Sequence, residues 1–434
     1  MSLTNEVDVT PAFHPPELPS KWDIIPIHNS DRANFKRCRR YWDWNSPARH
    51  NLNLRADQHG VNKDLWFGTG IHWALEQFYT PGLSRDPVEA WKTWYDIQWR
   101  GGLVTADWLD KVYDLKPREL NQAEAEARNI ENTEGYWLVR GLEDILPDSQ
   151  IATGEFDELY ELGVQMMTFY REYAEKHDDF EVVLVEHDFS IPVWDYANDR
   201  ILTAIDSREN SPNYGKELEV HNRGRVDNLY RRLDDAGNHR YGIIDYKTAA
   251  KIDEDYFEKL DTDEQCTSYL YAIEVEGNYY NLPTKGKPVE EVLYTALRKA
   301  YPKPPTILQS GLFSVDRTKE STTYAMLMET FGPHLKYVQL TEKQQNYIDW
   351  LKDVGDEQFI IRKTARRNRH QIASAGERLY LESLDMLATP NIYPNISNDF
   401  RCMRCQFRPP CIAKEDGGDW QQLLRDNYSS ARDR

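Results

Sequence analysis

Three observations predict an α/β protein. Strand-period segments lie between Glu181 and Thr248, around a strong turn. Long stretches of helical period flank them on both sides. With 40% of the 434 residues hydrophobic, there is material for a sizeable core between the two kinds of element. At roughly 100–200 residues per domain, this length allows two or three domains, or one with large insertions.

Residues 1–30 are Pro-rich and read as an extended lead-in. An N-terminal helical part covers 31–84. It begins basic and aromatic, with Arg32, Lys36, Arg37, Arg39 and Arg40 among Phe35, Tyr41, Trp42 and Trp44. Its second half, FGTGIHWALEQFY (67–79), reads as a helix entered through Gly68 and Gly70, with His72, Leu75, Glu76 and Tyr79 on one stripe. Residues 85–180 are helical in pattern, acidic and Trp-rich, and read as a helical insertion.

The period changes at Glu181, which opens a core at 181–275. Val183, Val185, Phe189, Ile191 and Val193 alternate with Glu186, Asp188 and Ser190. Strands 224–233 and 240–248 flank the turn cluster Asp234-Asp235-Ala236-Gly237-Asn238. A helix then carries Gln265 to Glu274. Residues 276–400 are mixed at first. A capping box, Thr341 with Gln344, then opens a long helical stretch holding the basic run Arg362, Lys363, Arg366, Arg367 and Arg369. Residues 401–434 hold a cysteine cluster and a tail.

The net charge of -19 argues against a non-specific polyanion binder, since Lys and Arg drive phosphate affinity. No apolar run approaches the roughly 20 residues of a membrane span, and the N-terminus lacks a signal pattern. The expectation is a cytoplasmic protein with no membrane partner. Its five cysteines, odd and sparse, do not form a disulfide framework.

The hairpin carries the chemistry. Centred on Ala236, antiparallel pairing sets Asp227 opposite Asp245, about 4.5–5.5 Å apart at Cβ. Asp245 and Lys247, two apart, share a face. Two acids and an ammonium converging on one spot suit a hard divalent cation, Mg²⁺ or Mn²⁺. On spacing alone the charges also fit the solvated face of an exposed hairpin. Ile243-Ile244, leading into Asp245, points instead to a central strand.

Gly224-x-x-Asp227, then Asp245-Tyr246-Lys247 eighteen positions on, then Gln265-x-x-x-Tyr269, resembles the PD-(D/E)XK nuclease superfamily. More narrowly it resembles the RecB-like branch. Gly68-x-x-x-His72-x-x-x-Glu76 is similar to that branch's first motif, and Glu186 fits its additional acidic position. The resemblance implies a restriction-endonuclease-like core: a small mixed sheet flanked by helices, with large helical insertions. It implies metal ligation by His72, Asp227, Asp245 and the Tyr246 carbonyl. Catalytic support would come from Lys247, Glu186, Gln265 and Tyr269. Val226 stands where the literal motif has Pro, as is usual in that branch.

Cys402-x-x-Cys405-x-x-x-x-x-Cys411 and the remote Cys38 make four thiols, for which spacing leaves zinc and an iron–sulfur cluster equally open. One Cys before the core and three after it resembles the iron–sulfur nucleases of the AddB and CRISPR-associated Cas-four types, phage-encoded versions included. That resemblance implies a [4Fe–4S] cluster stapling the two chain ends, with zinc the lesser candidate. Cys266 reads as a buried apolar residue.

The expected function is therefore a Mg/Mn-dependent DNA exonuclease, acting on single strands or duplex ends in recombination, end processing or CRISPR-type adaptation. In a phage-encoded version it would work in the host cytoplasm. No helicase motif is present, so unwinding would fall to a recombination or helicase partner. Arg37, Arg40, Arg366 and Arg367 are the expected DNA contacts, with Tyr41, Trp42 and Trp44 available for stacking. Two other readings stay open: a non-catalytic DNA-binding or recombination subunit that keeps the fold, and a zinc-containing nucleic-acid-processing protein.

Overall fold

Alternating sequence becomes strand where it is expected, and the sheet recruits segments from outside 181–275. A computed structural model describes residues 17–55, 62–83, 85–99, 101–108, 117–127, 130, 134–139, 155–208, 211–252, 257–335, 337, 339–389, 391–396 and 400–430. The first half of the lead-in and the middle of the expected insertion lie outside the described residues. The central sheet has seven strands. They are β1 (Ile24–His28), β2 (Glu181–Pro192), β3 (Thr203–Ile205), β4 (Glu217–Leu233), β5 (His239–Ala249), β6 (Val289–Arg298) and β7 (Ile360–Arg366). Its path runs β1-β4-β5-β6-β7, with β2 and β3 also on β4. The β1–β4 and β5–β6 pairs are parallel and the rest antiparallel, so the sheet is mixed.

The β4–β5 turn has the chemistry its sequence promises. Asp234 Oδ1 accepts from the backbone of Ala236 and Asn238, and Gly237 takes φ +80. From there the ladder runs to Asn228 opposite Ile244. One edge of β4 is taken by β2 and β3. The other is shared: β5 pairs with 228–233 and β1 with 219–223. Residues 224–227 have no strand beside them on that edge, which opens the middle of the sheet.

Helices cover both faces. They are α1 (Asn29–Arg37), α2 (Arg39–Asn45), α3 (Lys63–Tyr79), α4 (Pro87–Trp99), α5 (Glu155–His177), α6 (Glu264–Tyr280), α7 (Tyr324–Leu335), α8 (Glu342–Val354) and α9 (Arg369–Ala388). On one face α3, α4 and α5 bury Phe67, Ile71, Trp91, Trp94 and Tyr170 against Ile244, Tyr246 and Leu293. On the other, α6 and α9 bury Cys266, Leu270, Ile273 and Ile372 against Ile243, Val292 and Tyr294. Ile243 and Ile244 point to opposite faces and both are fully buried, as a central strand requires. No helix of the described residues is long and apolar enough to cross a membrane.

Three expectations change. Gly68 and Gly70 lie inside α3, which starts at Lys63. Its cap is Asn62, whose side chain accepts from Asp64 and Leu65. Gly70 is there for packing, since a Cβ would stand 2.4 Å from the Trp94 ring. The acidic segment read as a helical insertion is not all helix. Its helices α4 and α5 build one face of the core, with a small three-stranded sheet between them. Only Arg369, which opens α9, is helical in the basic run: Gly355, at φ +49, ends α8, and β-branched Ile360-Ile361 lead Arg362, Lys363 and Arg366 out along β7.

Replacing Gly70 by Ala should cost about 1–3 kcal/mol of unfolding free energy by urea denaturation, because a methyl must displace packed indole rings. The same change at Gly332, whose nearest atom is a Met328 methyl at 3.3 Å, should be far milder.

Candidate active site and cysteine junction

At the opening in β4 the backbone ladder gives way to side chains. The register that ends at Asn228–Ile244 brings Asp227 level with Asp245, as the turn predicts. Asp227 Oδ2 accepts from the Tyr246 backbone N–H at 2.7 Å, so a carboxylate stands in for a strand partner. On the other edge, β2 pairs His187 with Val226 and Val185 with Asn228, leaving Glu186 level with Asp227. Glu186 has φ +44. The other positive-φ non-glycine residues among those described are Asn or Asp, which tolerate this region. A glutamate held there costs of order 1–3 kcal/mol, the kind of strain kept at working sites. Glu186, Asp227 and Asp245 thus form one row across three strands.

Helix α3 lays His72 over this row. Its Nδ1 is 3.6 Å from Asp227 Oδ2, and its ring is hydrogen-bonded to the Tyr246 backbone. Ligand atoms of His72, Glu186 and Asp227 all lie within 4.8 Å of one another. A divalent ion with bonds of about 2.1 Å sets its ligands about 3–4 Å apart, so a small inward closure would enclose it. One imidazole and two carboxylates are the donor set such an ion takes. This trio differs from the expected set of His72, Asp227, Asp245 and the Tyr246 carbonyl. Glu186, expected as catalytic support, is in it, while the Asp245 carboxylate is turned to Lys247, with Nζ 2.8 and 2.7 Å from its two oxygens.

The electrostatics describe a site short of positive charge. Burial, then the charges of Asp227 and Glu76, push Glu186 up to about 8; Arg225, 3.4 Å away, opposes this only in part. Burial pushes Asp245 up to about 6, with Asp227 adding to it and Lys247 opposing. Burial would lower Lys247, but Asp245 and Asp227 outweigh it and hold the ammonium above its usual range. Burial lowers His72 and favours the neutral ring that a metal ligand needs. Gln265 and Tyr269, one turn apart on α6, border the same charges. Gln265 Nε2 donates to the Tyr269 hydroxyl at 2.7 Å, and that phenol is pushed up to about 12, chiefly by burial.

The chain ends meet beside this core. Cys38 links α1 to α2. Cys402 and Cys405 flank a short turn, and Cys411 lies on α10 (Arg408–Glu415). Burial pushes the Cys405 thiol up, and Cys38 and Cys411 lie near enough to add to this. The Asn395 backbone N–H donates to Cys38 Sγ, and Arg40 Nη1 to Cys411 Sγ, each at 3.4 Å. Cys38, Cys405 and Cys411, brought together from both ends with N–H donors aimed at two of the sulfurs, are thiol donors of the kind a sulfur-ligated group takes. Around them Trp44, Phe407 and Tyr428 are buried together, and residues 52–54 pair antiparallel with 428–430.

The basic residues separate. Arg40 is buried, with Glu415 and Cys411 as its partners. Arg367 is buried too, donating to Thr267 and to the Leu260 carbonyl. Trp42 and Trp44 are core residues and offer no stacking surface; their 3% exposure decides it. Arg366 sits on the sheet face opposite Asp245 and reaches Glu291 at 3.3 Å. Arg37 reaches the Arg401 carbonyl from an exposed position. Two side chains of note went unread as site residues. Arg225, inside the Gly224–Asp227 motif, clamps Glu186 and Asp188. Lys363 lies level with Tyr294 and Asp245, on the same face of the sheet as Asp245. A strand period read across 360–366 would have separated Lys363 from Arg366.

Glu186 gives a pH prediction. An acid raised on folding contributes stability below its ordinary value near 4.5, and that contribution is lost as pH rises toward about 8. Metal-free protein should therefore lose stability against Glu186→Gln between pH 5 and 8, by at most about 5 kcal/mol. Saturating Mg²⁺ should abolish the loss. Urea denaturation of both proteins with and without Mg²⁺ measures it.

No curated protein matches the chain. A sequence model of the PD-(D/E)XK nuclease superfamily matches residues 30–412, a span that runs from the start of α1 through the cysteine junction and contains the whole carboxylate row. The chain belongs to the PD-(D/E)XK nuclease superfamily.

Proposed function

We propose that the protein is a metal-dependent DNA exonuclease of the RecB-like, iron–sulfur type. The observation that carries this is the row Glu186–Asp227–Asp245, with His72 above it and Lys247 at its end. A decayed site would be free to lose such a costly convergence of like charge. Here every member is present and the strain at Glu186 is retained.

His72, Glu186 and Asp227 would hold a Mg²⁺ or Mn²⁺ ion, with the Tyr246 carbonyl and Asp245 within reach. That ion supplies a water of lowered pKa and offsets charge on the phosphate. Asp245 orients Lys247 through its ion pair. The Lys247 ammonium donates toward the phosphate and the attacking water, holding the oxygen in line with the bond to be cut. The water oxygen bonds to phosphorus as the water gives up a proton to solvent, the P–O bond to the leaving sugar breaks, and the leaving oxygen takes a proton from solvent. Gln265 and Tyr269 line the approach and offer hydrogen bonds to the strand backbone. Arg37 stays open to a strand entering past the cysteine junction. A helicase or recombination partner would supply unwinding, in recombination, end processing or CRISPR-type adaptation.

Cys38, Cys402, Cys405 and Cys411 would hold the [4Fe–4S] cluster. Support comes from the gathering of thiols from both chain ends and from the Arg40 guanidinium beside Cys411. The cluster would then tie the N- and C-terminal segments across the nuclease core.

End-labelled linear DNA with Mg²⁺ or Mn²⁺ should be progressively shortened, and Lys247→Ala should slow this by at least about 100-fold. Equal activity in the variant would show that the row is not the working site. Protein purified anaerobically should contain iron and acid-labile sulfide, both lost in Cys411→Ser. Zinc without sulfide would replace the cluster with a zinc site.

A further inference from the structure

A cavity of about 590 Å³ opens on the catalytic face, between the ends of β5 and β6, the strand β7 and the helix α8. Among the described residues Lys251, Arg298, Arg317 and Lys363 line it, with one carboxylate, that of Glu357. In a chain of net charge -19 this is a strong local reversal. Two of the cations lie over aromatic rings. Arg317 is 4.6 Å from the Trp350 centroid, and Lys363 is 5.8 Å from that of Phe257.

Arg298 stands out among them. It is half-buried at the end of β6, and no carboxylate among the described residues pairs with it. Burial draws its pKa down, and the group opposing this is the Tyr347 phenol. Burying a guanidinium without an anion is costly unless a ligand brings the anion. The other arginines of this sheet region are paired within the fold: Arg362 with Asp178, Arg366 with Glu291, and Arg232 with Glu291.

The cavity is physically continuous with the catalytic row. Asp245 lies level with Tyr294 on β6, and Tyr294 with Lys363 on β7. Two strand spacings, about 10 Å, separate the acid from the lysine. Lys247 Nζ sits 5.9 Å over the Tyr294 ring, whose edge meets Phe257 at 6.0 Å. Side chains thus run without a break from Lys247 to the cavity wall.

Resting on the nuclease reading, we propose that this cavity is a subsite for unpaired DNA, in which Arg298 and Lys363 bind backbone phosphates of the strand next to the bond being cut. Its volume is that of a small-ligand pocket, too small for a duplex. Cations interleaved with aromatic rings are the surface that single strands take.

The test is fluorescence anisotropy with a labelled oligothymidylate, in a Lys247→Ala background with Mg²⁺ so that the strand stays intact. Arg298→Gln and Lys363→Gln should each weaken binding about fivefold to tenfold. Each should also flatten the slope of log affinity against log salt by about 0.7. Lys363 is exposed, so its variant keeps the test independent of any folding defect in the other. Unchanged affinity and slope in both variants, while wild type still degrades DNA, would overturn the subsite and leave the nuclease standing. Weakened binding in a protein that degrades no DNA would overturn the nuclease reading and keep a strand-binding cavity. A parent protein that binds no single strand would overturn both.

Discussion

Everything in this molecule turns on a repulsion. Glu186, Asp227 and Asp245 come from three neighbouring strands and lie in one row. Like charges directly across a sheet destabilise it. Among the described residues one cation, Lys247, is pressed against them from within the row, and Arg225 touches it at the far end. The fold supplies what the row lacks in cohesion. Apolar layers on both faces hold the strands, so the acids cannot separate without unpacking Ile243 to one side and Ile244 to the other.

Behind the row lies a second brace. The hydroxyls of Tyr79 and Tyr170 are 2.8 Å apart, Tyr79 donates to Asp178, and Arg362 donates to both Asp178 and Tyr170. Asn228 donates to the Tyr246 hydroxyl. This network links α3, which carries His72, to β5, which carries Tyr246. A buried polar network with this many paired groups favours one arrangement of its elements. Here the arrangement keeps an imidazole over a carboxylate.

Much of this could be read from the sequence, for identifiable reasons. The turn at 234–238 encodes its own hydrogen bonds, so it fixed the Asp227–Asp245 alignment at a distance. The motif spacing located His72, Lys247, Gln265 and Tyr269, and the structure gathers all four around the row. What could not be read depends on tertiary contact. The left-handed turn of Glu186 has no local signature. Gly70 looks like a helix start until the Trp94 ring is seen against it. In a helix, Lys363 and Arg366 would share a face. In the strand they occupy, they part to opposite sides, and the buried Arg367 is spent on backbone carbonyls and a threonine.

The shared edge of β4 has a consequence for how the protein is made. β1 emerges early in synthesis, but its partner on β4 lies almost halfway along the chain, and β6 and β7 come later still. Cys38 and Arg40 likewise meet Asn395, Cys411 and Glu415 only near the end. Contacts this distant in sequence form late. A ribosome-bound fragment therefore carries the acids of the row without the walls that hold them together, and in a nascent chain the row stays unassembled until most of it has emerged.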